Sequence, residues 1–189
     1  MEVSGEGKSE GDSNLFGWGG HKDILGAIEF LKGRPDVDPG RIGGIGFSVG
    51  GELMLEAAAA TEELSAVVSE GAGTRSLSGA MEEVHGFEKW INMPTFVVQE
   101  ASVAVFSNTA PPPNLTDLAP KIEQPLFVIW APNGGNVEHM SREYYKLARG
   151  PKQIWAMPTA KHIGGIYDQP KEYERRVVGF FDDALLGQS

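Results

Sequence analysis

The 189-residue chain contains no cysteine, which excludes a disulfide framework, a thiolate metal site and a cysteine nucleophile. Long apolar runs are missing too: no stretch approaches the roughly 18 residues of a membrane span. Residues Met1 to Lys8 have no apolar core of the kind a signal peptide needs, so the expectation is a cytoplasmic protein without a membrane span. Positive charge is scarce, with 16 Lys and Arg against 26 Asp and Glu and a net charge of −10. A nucleic-acid partner would require a basic face, so none is expected, and the charge serves solubility. No His, Asp and Glu group has metal-ligand spacing, and no cofactor is expected. A phosphate-loop reading of Gly5-Glu6-Gly7-Lys8-Ser9 fails, because Glu2 stands where the first glycine belongs and no strand precedes it. What remains, 41% apolar and 22% charged, is enough for one domain over residues 1–189 with a substantial core.

Within that domain the most specific signal is Gly46-Phe47-Ser48-Val49-Gly50. A short apolar run, Ile42 to Phe47, precedes it, and a segment of strong helix formers, Glu52 to Ala60, follows. That is the layout of a nucleophile elbow, a strand-to-helix turn so tight that side chains beside the serine would clash. The turn lifts the hydroxyl clear of the sheet, and the helix N-terminus that follows favours a developing negative charge. The other reading of the pentapeptide is a glycine-rich turn in an unrelated parallel-sheet protein.

The flanking pattern is that of an α/β protein. Ile24, Ala27, Ile28 and Leu31 recur at helical spacing over Asp23 to Lys32, and Gly33-Arg34-Pro35 with Asp38-Pro39-Gly40 ends that helix. After the elbow, short apolar runs at Leu64–Ser69, Pro125–Ala131 and Gln153–Met157 read as buried strands. Helical patterns at Glu138–Ala148 and Glu172–Leu186 cover them. The prediction is a doubly wound, mostly parallel sheet. An apolar insertion at about residues 74–120, with Trp90, Ile91, Met93, Phe96, Val97, Val98, Val103, Val105 and Phe106, interrupts the alternation. It reads either as a lid over the site or as an extra helical pair filling core.

His162 lies just past the last predicted strand, where a loop can carry an imidazole over the serine. His21, His85 and His139 have no such setting and read as structural or solvated. The acid that orients the imidazole should follow a strand between Ser48 and His162. Glu138, after the Ala131 strand, is the candidate, although it also reads as a first-turn glutamate behind an Asn136 cap. Glu70, at the end of the preceding strand, is the rival.

Taken together, Gly46-Phe47-Ser48-Val49-Gly50-Gly51, the lead-in Asp38-Pro39-Gly40-Arg41-Ile42, the strand from Gln124 to Ile129 and His162 resemble the α/β-hydrolase superfamily over nearly the whole chain. The likeness is to serine esterases akin to dienelactone hydrolases and prolyl-oligopeptidase catalytic domains. It implies a serine hydrolase that cleaves a carboxylic ester of a small molecule, with Ser48 as nucleophile, His162 as base, Glu138 as acid and the Val49 N–H in the oxyanion hole. The alternative is a non-catalytic or weakly active remnant of that fold serving as an interaction module.

Gly5-Glu6-Gly7-Lys8-Ser9-Glu10-Gly11 resembles the loop after the family's fourth strand, although Ser4 stands where the family usually has Arg. On that likeness the chain starts inside the family fold, N-terminally truncated, with the loop that supplies a second oxyanion amide lying outside it. The elbow strand would then have an unpaired edge, and a homodimer through that edge, a missing N-terminal portion or marginal stability is expected.

Overall fold

The runs marked as buried strands pair into a parallel sheet in the computed structural model, which describes residues 5, 7–11, 15–75, 79, 87–135 and 138–187. The strands are β1 (Gly43–Phe47), β2 (Ala66–Glu70), β3 (Leu126–Trp130) and β4 (Lys152–Ala156), adjacent in that order. Phe47 lies opposite Glu70, Glu70 opposite Ile129, and Ile129 opposite Trp155, so all strands end at one rim. The loops that leave that rim are where an α/β sheet puts its chemistry.

There are five helices of eight or more residues among the described residues: α1 (Gly20–Lys32), α2 (Val49–Ala60), α3 (Phe87–Ser107), α4 (Met140–Leu147) and α5 (Pro170–Phe181), of which α1, α2, α4 and α5 flank the sheet. The period-two alternation of the strands divides the core between two faces. Val67, Leu126 and Val128 pack with Ile28 of α1, Leu55 of α2 and Tyr144 of α4. Ala66, Val68, Phe127 and Ile129 turn the other way, onto Tyr173 and Phe180 of α5. Sealing a side chain such as Phe127 from water stabilises the fold by roughly 1.5–3 kcal/mol. Both faces are covered, and the sheet is doubly wound.

Local differences from the sequence pattern have simple causes. Helix α2 begins at Val49 rather than Glu52, because Gly50 and Gly51 lie inside its first turn and do not delay it. The expected helix over Glu172–Leu186 divides into α5 and a π-helical turn, Asp182–Leu186. In the insertion, α3 carries most of the apolar residues, but Trp90, Ile91, Val98, Val105 and Phe106 are exposed while Val103 is buried. Ser4, Glu6, His85, Asn136 and residues 76–78 and 80–86 of the insertion lie outside the described residues.

Strand β1 stands at the end of the sheet, and among the described residues no strand pairs with its outer side. The flank of that edge is a groove of about 390 Å³ between α1 and α2, with Ile24, Ala27, Ile45, Leu53 and Met54 along its walls.

Candidate active site

Ser48 occupies the single residue between β1 and α2, with φ 53° and ψ −122°. A non-glycine residue holds such a backbone only where its surroundings over-determine it. Here the Ser48 N–H donates to the Glu70 carbonyl at 2.9 Å, while the Ser48 carbonyl accepts from Gly51 N–H at 2.9 Å and Glu52 N–H at 3.2 Å. The chain then turns back so closely that a Cβ on Gly46 would sit 2.1 Å from the Gly50 carbonyl oxygen. Glycine at 46 is therefore a steric requirement of the bend. Val49, the candidate oxyanion donor, is the first residue of α2, at the positive end of the helix dipole.

The imidazole of His162 reaches the serine from the loop after β4. Its Nε2 lies 2.8 Å from Ser48 Oγ, and its Nδ1 lies 2.7 Å from Glu138 Oε1. A carboxylate can only accept, so Nδ1 carries the proton and Nε2 is left to accept from the serine hydroxyl. Glu138, 1% exposed, is fixed by its other oxygen, which accepts the Ala131 N–H at 3.1 Å. The turn beneath it is tight, since a Cβ on Gly134 would come within 2.9 Å of Glu138 Oε1 and 3.0 Å of the His162 backbone nitrogen. Three residues that are 24 and 114 positions apart in sequence thus form one hydrogen-bonded line, Ser48 to His162 to Glu138.

Glu70, the rival acid, takes no part in that line. Its carboxylate accepts the Gly165 N–H at 3.0 Å and the Tyr173 hydroxyl at 2.6 Å. Of the remaining histidines, His21 sits 3.1 Å from Glu56 and His139 is exposed beside α4. Among the described residues no group of three His, Cys, Asp or Glu could hold a metal ion, and no helix is long and apolar enough to cross a membrane.

One buried cluster beside the site escaped the sequence reading. Arg75 lies between Glu52 and Glu56 of α2, with Nε 3.1 Å from Glu52 and its Nη2 bonded to Glu56. Glu52 also accepts the Gly73 N–H at 3.0 Å. Burial pushes the Glu52 carboxyl up to about 7, against the pull of Arg75, the Gly73 N–H and the nearby His162. Two glutamates one helical turn apart on the covered side of α2 were the available signal, but their cation lies 19 residues beyond Glu56 and nothing local points to it.

A family model described as X-Pro dipeptidyl-peptidase (S15 family) matches residues 1–124. The chain belongs to this family. The matched span includes the elbow at Ser48 and ends before Glu138 and His162. Among solved structures, the esterase Pf2001 of Pyrococcus furiosus is similar with TM-score 0.73 and 22% identity over 97% of this chain and 69% of that one. The α/β hydrolase GrgF of a Penicillium species superposes with TM-score 0.74 at 14% identity, covering 98% and 78%. Dienelactone hydrolase of Anabaena variabilis gives TM-score 0.61 at 20% identity, covering 90% and 62%. At these identities the likeness is one of fold, and the fold of this S15-family chain is that of the α/β hydrolases. No curated protein matches the chain.

Proposed function

We propose that the chain is a serine hydrolase that cleaves carboxylic esters of small molecules through an acyl-enzyme. The observation that carries this reading is the pair of distances about His162, 2.8 Å to Ser48 Oγ and 2.7 Å to Glu138 Oε1. As Ser48 Oγ attacks the carbonyl carbon, its proton passes to His162 Nε2, and Glu138 stabilises the imidazolium. The carbonyl oxygen becomes an oxyanion facing the Val49 N–H. The imidazolium then protonates the departing alcohol, which leaves the acyl group on Ser48. Water gives a proton to Nε2, attacks the acyl carbon and releases the acid, and the proton returns to Ser48 Oγ. Helix α3, with its exposed apolar side chains, serves in this reading as a lid that would contribute an apolar acyl pocket. The domain is read as 1–189 with the insertion at 74–120, and its setting as cytoplasmic, both on the sequence alone.

A second reading is favoured by the family match, whose name specifies an X-Pro dipeptidyl peptidase. The same serine chemistry acts on an amide, with an amine in place of the alcohol as leaving group.

Fluorophosphonate labelling followed by turnover of short p-nitrophenyl esters and of X-Pro p-nitroanilides tests both. The expected result is labelling of the native protein, loss of labelling in Ser48→Ala, and ester turnover reduced on the order of 10⁴- to 10⁶-fold by that change. Turnover of the anilides alone would replace the ester reading by the peptidase one. An unlabelled but folded native protein would leave the interaction module as the function.

A further inference from the structure

Among the groups outside the Ser48–His162–Glu138 line, Glu70 is the one whose atoms reach both halves of it. It is the last residue of β2 and only 3% exposed. Its main-chain carbonyl receives the Ser48 N–H at 2.9 Å, so β2 holds the nucleophile at its own backbone. Its side chain leaves the same residue toward the other partner: Oε1 takes the Gly165 N–H, three positions after His162, at 3.0 Å. Oε2 takes the hydroxyl of Tyr173, buried in α5, at 2.6 Å.

The geometry around this bracket is close. A Cβ on Gly165 would lie 3.0 Å from Glu70 Oε1, and a Cβ on the next residue, Gly71 at φ 67°, would lie 3.0 Å from His162 Cε1. Burial, and after it the Glu70 carboxyl, pushes the Tyr173 phenol upward, which keeps it a hydrogen-bond donor. A buried carboxylate with two donors is an expensive group to leave unpaired, so the contacts are mutually enforced.

The loop that carries His162 needs such a tie. Its imidazole is 36% exposed, and apart from the bond of Asn133 Nδ2 to the Pro158 carbonyl the loop's closures are short-range: Ala160 N–H to Met157, Gly164 N–H to Lys161, and Thr159 Oγ1 to Asp168. Apart from the His162–Ser48 bond itself, none of these refers the loop to the Ser48 backbone. Glu70 does.

We propose that Glu70 is a positioning residue, a single side chain and carbonyl that set the separation of Ser48 from the His162 loop. The proposal rests on the serine-hydrolase reading for its effect on turnover, but its structural content can be read without turnover.

The test compares the native protein with Glu70→Ala, Glu70→Gln and Tyr173→Phe, first confirming by circular dichroism that each is folded. Two readouts follow: kcat and KM on a short p-nitrophenyl ester, and the far-downfield proton resonance of His162 Nδ1–H hydrogen-bonded to Glu138. A misplacement of about 1 Å costs on the order of 10² in rate, so Glu70→Ala is expected to lower kcat roughly 10²-fold while KM changes little. Its downfield resonance is expected to broaden or vanish. Glu70→Gln, which still accepts from Gly165, is expected to recover part of both, and Tyr173→Phe to lose less than Glu70→Ala.

A folded Glu70→Ala protein with native kcat and an unshifted resonance would overturn the proposal. If Glu70→Ala does not fold, Tyr173→Phe decides by the same two readouts. Should the native protein neither label nor turn over ester, the hydrolase reading falls alone: loss of the resonance on substitution still supports the bracket, and its retention, or its absence from the native protein, overturns it.

Discussion

Ser48 keeps a backbone conformation that an L-residue rarely adopts, and three main-chain hydrogen bonds together with glycine at 46 hold it there. Oγ lies 2.8 Å from an imidazole that is itself bonded to Glu138, so in the proposed mechanism the acid would act through orientation as much as through charge. Glu138→Gln is expected to preserve the fold and to lower kcat on the order of 10²- to 10⁴-fold, because the amide can present a donor to Nδ1 and favour the wrong tautomer. Steady-state kinetics on the ester that the native protein turns over checks this; unchanged kcat would remove Glu138 from the mechanism.

Glu52 makes a separate claim at the same scale. Burial raises its carboxyl from an ordinary 4.5 to about 7, so in this interval the folded protein binds more protons than the unfolded one. The protonated group is at home below 4.5, and its contribution to stability is lost as pH climbs through 7. Thermal midpoints of the native protein should therefore fall relative to those of Glu52→Gln between about pH 5 and 7, at roughly 2–4 °C for each kcal/mol involved. Parallel curves across that range would contradict the burial argument.

At the scale of elements, β1, the bend and α2 work as one unit. A methyl group at Gly46 meets the Gly50 carbonyl, main chain against main chain, and no rotamer relieves it. Gly46→Ala is expected to destabilise by about 1–3 kcal/mol and to abolish fluorophosphonate labelling. A contrast is available in α1, where nothing lies within 4 Å of a Cβ placed on Gly26. Gly26→Ala is expected to raise stability by about 0.5–1 kcal/mol with labelling intact, through loss of backbone freedom in the unfolded chain. Denaturant titration of the two variants side by side measures both.

For the whole molecule, the open side of β1 is the largest consequence of the sheet order. A parallel sheet is ordinarily enclosed, whereas among the described residues no strand covers the outer side of β1, which adjoins an apolar groove of about 390 Å³. We propose that two copies of the chain pair through this edge. Size-exclusion chromatography with light scattering is expected to return a dimer of the 20.3 kDa chain. A monomer stable at micromolar concentration would count against the pairing.

How much of this was legible beforehand follows from the range of the interactions. The elbow is a local object: glycine spacing, an apolar run and a row of helix formers specify it between Ile42 and Ala60, and Ser48 could be singled out from them. Strand positions were legible for the same reason, to within two residues, although only β2 and β3 are buried nearly throughout and β4 lies half-exposed at the end of the sheet. His162 could be placed because a chain end after the last strand has to emerge at the rim. The choice between Glu138 and Glu70 was different, as each carboxylate follows a strand at that rim and the local pattern is silent on which faces the imidazole. In the folded molecule Glu138 meets Nδ1 across the tight turn at Gly134, while the Tyr173 hydroxyl bonds Glu70. Arg75 between two glutamates belongs to the same class. Short-range sterics and burial are written in neighbouring residues and can be read there; the partner of a buried charge is selected by packing between segments distant in the chain, and only the folded molecule records it.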